Sequence, residues 1–257
     1  MQKQRFELKY LISEETALRV REFVQCYLDF DEYSVGKPNY SYAVHSVYLD
    51  TDDLKTYWDT INGDKNRFKL RMRFYSAHPD TPIFFEMKRR MNNCMLKQRG
   101  AVQQRYISTL LSGQLPQRDY LVSNNPNHFA ALQNICRLIN QLNAKPKIHI
   151  AYEREAYVNE DDTVRLTMDR EVRAEPNLDM TITTHMERPH RSFSPDVILE
   201  LKFTNRFPDW FGYLVRVFNV MQCGAAKYVE SIQKVGARQL HAPHPVVDEA
   251  TPLARSW

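Results

Sequence analysis

Cations recur at every second position in several stretches of this chain. Lys69, Arg71 and Arg73 alternate in FKLRMRFY, Lys97 and Arg99 in MLKQR, and Arg165 stands in the same spacing with Thr167 and Asp169 in TVRLTMDREV. In three further stretches a carboxylate joins the lysine: Glu7 and Lys9 in RFELKYLI, Glu86 and Lys88 in IFFEMKRR, and Glu200 and Lys202 in VILELKF. Residues two apart share one face of a β-strand, so each stretch reads as a strand with one ionic and one greasy face. A solvated sheet face is the plain explanation for any one of them. Taken together they carry too many cations, because like charges directly opposed across strands cost about 0.2–1 kcal/mol a pair.

A phosphate chain is the ligand that would draw such cations together, since Arg presents a planar fork that matches phosphate oxygens two at a time. A carboxylate among those cations would repel a phosphate. Glu200, Glu7 and Glu86 therefore read as ligands for Mg²⁺ or Mn²⁺ bridging to phosphate oxygens, the alternative being salt bridges to the neighbouring lysines. No Walker loop, GxGxxG or HExxH is present, and the chain has only seven glycines, so phosphate binding by a backbone nest is not expected.

The composition narrows the class. Of the residues, 43% are hydrophobic and 26% charged, with a net charge of +4, which describes a globular chain without the basic excess of a nucleic-acid coat. No RNP-like aromatic pair is present, so no nucleic-acid partner is expected. Cys26, Cys94, Cys136 and Cys223 form no CxxC pair, which fits a reducing compartment. The N-terminus lacks an apolar signal region and no stretch approaches the ~20 apolar residues of a membrane span. The expectation is a cytoplasmic protein.

Positioning the ionic faces requires a sheet. Strands are predicted over 4–12, 43–50, 66–76, 82–90, 95–104, 147–158, 163–173, 180–186 and 195–204, several joined by turns rich in Asn, Asp, Gly or Pro. A helix capped by Ser13 follows the first strand, and 128–142, 208–221 and 227–240 also show helical spacing. The predicted fold is α+β, mainly antiparallel β. It is a closed barrel tunnel of about eight strands, with the helices packed outside on the greasy faces and the ionic faces lining the interior. Residues 1–240 read as one domain and 241–257, with His241 and His244, as a solvated tail.

In order along the chain, RFELKY, SVYLDTDDLKTYWD, KLRMRFY, FFEMKRR, AYEREAY, VRLTMD, VILELKF and CGAAKYVES resemble the VTC polyphosphate polymerase domain, a branch of the triphosphate tunnel metalloenzyme (CYTH-like) superfamily. The resemblance covers roughly residues 4–236. It implies an eight-stranded antiparallel tunnel in which Lys9, Arg71, Arg73, Lys88, Lys97, Arg154, Arg165 and Lys227 contact phosphates and Glu200 holds the metal. Arg154 and Lys227 enter through the resemblance alone, for alternation sets Arg154 with Ile150 and Tyr152 on what reads as the apolar face. The superfamily's first-strand ExExK is here Arg5-x-Glu7-x-Lys9, and the missing carboxylate favours transfer over hydrolysis.

The expected activity is metal-dependent transfer of the γ-phosphate of ATP to a growing polyphosphate chain. Arg71, Arg73, Lys88 and Arg165, with Lys9, clamp the oxygens while Glu200 positions Mn²⁺ or Mg²⁺. Lys69 and Lys202, by their place on the ionic faces, join Lys9, Lys97, Arg154 and Lys227 as phosphate contacts. A triphosphatase and a polyphosphate sensor without turnover remain the alternatives. Export of polymer would need a separate membrane partner, and the sequence does not set an oligomeric state.

Overall fold

The computed structural model describes residues 5–92, 94–204 and 206–240; the tail predicted over 241–257 lies outside them. In chain order the strands are β1 (Arg5–Ile12), β2 (Asp29–Phe30), β3 (Ser41–Asp50), β4 (Asn66–Phe74), β5 (Ile83–Met91), β6 (Cys94–Val102), β7 (Lys145–Val158), β8 (Val164–Pro176), β9 (His190–Arg191) and β10 (Val197–Thr204). The helices are α1 (Glu14–Val24), α2 (Lys55–Ile61), α3 (Ile107–Leu111), α4 (Pro126–Leu142), α5 (Asp209–Val217) and α6 (Lys227–Val235). The long strands form one antiparallel sheet in the order β1-β10-β8-β7-β3-β4-β5-β6. Eight of the nine predicted strands are present. Over 180–186 the chain is irregular instead, with Met180 at φ +62 and Ile182 laid against the core as part of a loop. The run of Thr and Ile there has strand propensity but no neighbour to pair with.

Local sequence explains the helix ends. The Ser13 side chain accepts from Thr16 N at 3.1 Å to cap α1, and Asn125 caps α4, with Pro126 tolerated in the first turn. α5 stops short of the predicted 221 because Asn219 turns left-handed at φ +47, and α6 stops at Gly236, φ +92. The short helices α2 and α3 were not predicted.

Three clusters of buried side chains hold the fold, each fully buried Val, Leu, Ile, Phe or Met being worth about 1.5–3 kcal/mol. Leu70, Met72, Phe74, Phe85 and Met87 pack under α3 and α4. Leu166, Met168, Leu199 and Leu201 pack under α1 and α5. Both clusters use the greasy strand faces and put their helices outside, as predicted. The third does not. Tyr48, Ile148, Ile150, Tyr152 and Ile198 pack against Tyr228, Val229, Ile232 and Val235 of α6, and these strand residues lie on the ionic face. α6 therefore sits inside the curve of the sheet, correcting the expectation that all helices pack outside.

The sheet is also not closed, which corrects the closed barrel. Its edges are β1 and β6, and among the described residues these two strands are not hydrogen-bonded to each other. The reason lies in the route of the chain. The segment joining α5, outside, to α6, inside, runs along the free edge of β1: Cys223 N donates to Lys9 O at 2.9 Å, and Gln222 bridges to Tyr10. That segment takes hydrogen-bonding positions a closing strand would need. Side chains cross the seam instead, Lys88 of β5 reaching Glu7 of β1 at 2.7 Å.

Candidate functional site

The register of the sheet decides which ionic side chains meet. Lys9 stands opposite Glu200, and Glu7 opposite Lys202. Lys69, Lys88 and Lys97 form one row across β4, β5 and β6, and Arg71, Glu86 and Arg99 form the next. All face the concave side, where α6 adds Lys227. The ionic face of the sequence is thus an interior, and its cations outnumber its acids.

Around Glu200, which is 5% exposed, the packing is dense. Lys227 Nζ lies 3.1 Å from Glu200 Oε1 and 2.6 Å from Asp169 Oδ2. Lys9 Nζ lies 3.4 Å from Glu200 and 3.3 Å from Glu7, and donates to Ala225 O at 3.1 Å. Lys202 also bonds Glu200. Burial alone would raise the Glu200 carboxyl, but Lys202, Lys227, Lys9 and Arg154 outweigh it and hold the group well below the carboxylate range. It is a fixed anion.

A second centre surrounds Glu86, which is 1% exposed. Arg71 donates to it from Nε at 2.8 Å and Nη2 at 2.6 Å, and Lys97 and Arg99 approach at 2.8 and 3.4 Å. Tyrosines orient the guanidinium groups: Arg71 Nη1 donates to Tyr48 Oη at 3.1 Å, and Arg73 Nη2 donates to Tyr152 Oη at 3.0 Å. Arg165 stands opposite Lys202 in the sheet and pairs with Asp31 at 2.6 Å.

Burial weakens the hold of several lysines on their protons. Burial, and then Lys9, Lys88, Arg67 and Arg71, push Lys69 down to about 7. Lys69 makes no ion pair with an acid among the described residues. Burial also brings Lys97 to about 7 and Lys202 to about 8, although Glu86 and Glu200 respectively pull them up. An anion brought close to any of them would favour its protonated form, because an opposite charge stabilises the charged state.

Arg154 departs from the expectation of an apolar outer face. It does share a face with Ile150 and Tyr152, as alternation requires, but that face is the interior one. Its guanidinium grips Asp169 at 2.7 Å from both Nε and Nη2. The irregularity lies in the facing strand: β8 places two residues opposite Tyr152, with Glu171 at φ +51, and this bulge exchanges which of its side chains face inward. Asp169, Arg99, Tyr48 and Tyr152 have no role in the sequence-based expectation. Asp169 and Arg99 were legible in the alternation. Tyr48 was not, because both faces of β3 mix polar and apolar residues.

Among the described residues no group of three or more His, Cys, Asp or Glu side chains is placed to hold a metal by itself. Glu200 and Glu7 stand together on either side of Lys9, whereas Glu86 is enclosed by the arginines and lysines of the second centre. A divalent cation such as Mg²⁺ commonly takes only one or two protein carboxylates and completes its shell with water and substrate oxygens. A hollow of about 450 Å³ at Leu11, Ser13 and Met221 has no charged side chain in its lining and lies outside the site.

A family model described as the VTC domain matches residues 4–235. Among solved structures, the PH1819 protein of Pyrococcus horikoshii OT3 is 14% identical at a TM-score of 0.44, with 88% of this chain and 93% of that one covered. A Vibrio parahaemolyticus protein whose description proposes an adenylate cyclase is 10% identical at 0.44, with 90% and 98% covered. A chain of the Schizosaccharomyces pombe Mediator head module is 7% identical at 0.42, with 84% and 91% covered. At these TM-scores none of the three bears on function. Among curated proteins no match to this chain is found. No helix among the described residues is long and apolar enough to cross a membrane.

Proposed function

The chain belongs to the VTC domain family, and from that premise we propose that it is a polyphosphate polymerase, passing the γ-phosphate of ATP to the end of a growing polyphosphate chain. The observation that carries the reading is the row Lys69–Lys88–Lys97, three cations in direct cross-strand register on the concave face, beside the arginines at Glu86. Like charges in one row repel even where Glu7 and Glu86 pair with Lys88 and Lys97, and a linear polyanion laid across the row would offset that repulsion.

In the proposed reaction the terminal oxygen of the polyphosphate attacks the γ-phosphorus. The new P–O–P bond forms as the bond to the bridging oxygen breaks, and ADP leaves with that oxygen's electron pair. The side chains act by placement and charge rather than by a covalent step. Arg71 and Arg73, oriented by Tyr48 and Tyr152, hold non-bridging oxygens. Lys9, Lys88, Lys202, Lys227, Arg154 and Arg165 continue the clamp along the chain. Glu200, with Glu7 nearby, is the acid that would hold Mn²⁺ or Mg²⁺. That ion, when bound, offsets the charge developing on the leaving oxygen.

The test is incubation of the protein with ATP and Mn²⁺ or Mg²⁺, with products resolved by gel and phosphorus NMR. Long phosphate chains are expected. Orthophosphate without polymer would identify a triphosphatase, and tight polyphosphate binding without turnover a sensor.

A further inference from the structure

The inward row Lys69–Lys88–Lys97 is not the end of the cationic strip. Two residues further along, Arg67 of β4 stands directly opposite Arg90 of β5, on the same face. Neither makes an ion pair with an acid among the described residues. Each guanidinium instead donates to a backbone carbonyl of an adjoining turn, Arg67 to Asp64 O and Arg90 to Asn92 O, the latter at 2.8 Å. Arg67 is partly exposed and Arg90 exposed, so both are within reach of a ligand leaving the interior. A pair of opposed arginines costs stability wherever no anion joins them. From Arg73 to Arg67 the inward positions of β4 cover about 20 Å at about 3.4 Å per residue, longer than three linked phosphates extend.

We propose that Arg67 and Arg90 form an outlying subsite for inorganic polyphosphate, beyond the reach of a triphosphate, which holds the product chain as it leaves the site and makes the protein prefer long chains to short ones. This rests on the reading of the interior as a polyphosphate site. Between additions of phosphate, the grip on the chain at this subsite keeps the polymer from dissociating, so synthesis is processive.

The full chain and its Arg67→Gln/Arg90→Gln variant are compared for binding of tripolyphosphate and of long-chain polyphosphate. The wild type should bind the long chain more tightly. The variant should lose about tenfold or more of the long-chain affinity, as expected for the loss of charge-assisted contacts, while its tripolyphosphate affinity is unchanged and its polymer product is shorter. Arg67→Lys/Arg90→Lys should keep most of the long-chain preference. Equal affinity of the wild type for both ligands, or an equal loss for both in the variant, overturns the subsite and leaves the proposed function standing. Equal competition by single-stranded RNA overturns it in favour of an unselective polyanion surface. If the wild type binds neither phosphate ligand, the reading of the interior fails and the subsite with it.

Discussion

The Asp169 carboxylate receives two hydrogen bonds from the Arg154 guanidinium, both at 2.7 Å, across the pairing of β8 with β7. The same carboxylate lies 2.6 Å from Lys227 of α6, so one buried acid fixes two cations from different elements.

Asp169→Asn should therefore act on placement. Leaving Arg154 and Lys227 without this acid is expected to cost about 3–5 kcal/mol in the ligand-free protein. Tripolyphosphate should restore much of the lost Tm. Displacing two cations from their working positions is expected to lower kcat/KM for ATP about a hundredfold. A drop in Tm that ligand does not restore would indicate a purely structural acid.

Glu200→Gln removes the anion that Lys9, Lys202 and Lys227 share. Polymer formation is expected to be lost, because an amide is a poor ligand for Mn²⁺ or Mg²⁺, while the circular dichroism spectrum is retained. Triphosphate binding measured without metal should persist or tighten, since the site becomes more positive. Turnover equal to wild type would remove Glu200 from the proposed mechanism.

Affinity for polyphosphate should fall as pH rises from about 7 to 9. Burial brings Lys69 and Lys97 down to about 7 and Lys202 to about 8. A bound polyanion favours their protonated forms, so binding takes up protons in that window and weakens as they become scarce. Calorimetry in buffers of different ionisation enthalpy reads the uptake directly. Lys69→Met should flatten part of the slope and raise the Tm of the ligand-free protein, because it removes a cation held against Lys9, Lys88 and Arg71; an unchanged slope would mean that Lys69 does not meet the ligand.

Tyr228→Phe tests the anchoring of α6 inside the sheet. The Tyr228 hydroxyl donates to the buried Asp50 at 2.6 Å while its ring stacks on Tyr48 at 4.7 Å. Asp50 keeps its bonds from Thr56 and Tyr57, so a loss of about 1–3 kcal/mol is expected. Hydrogen exchange should quicken in α6 before it does in β10.

By itself the sequence determined the eight long strands and, along the regular stretch of each, which side chains share a face. FKLRMRFY and VILELKF show which side chains lie together, because the side-chain period of a strand is two wherever one face is apolar. It also brought out most of the cations proposed to contact phosphate, together with Glu200. It did not determine which face of β7 was inward, since Ile150 and Tyr152 are apolar for a reason invisible along the chain: they pack against α6, about 75 residues further on. Nor did it reveal that α6 lies inside, for its apolar stripe fits either side of a sheet equally well. The open seam was likewise decided in three dimensions. Whether β1 pairs with β6 depends on which segment reaches its free hydrogen bonds, and Gln222 and Cys223 occupy that edge. Strand propensity and alternation are local properties; edge pairing and the side on which a helix packs are settled by competition between distant segments for the same surface.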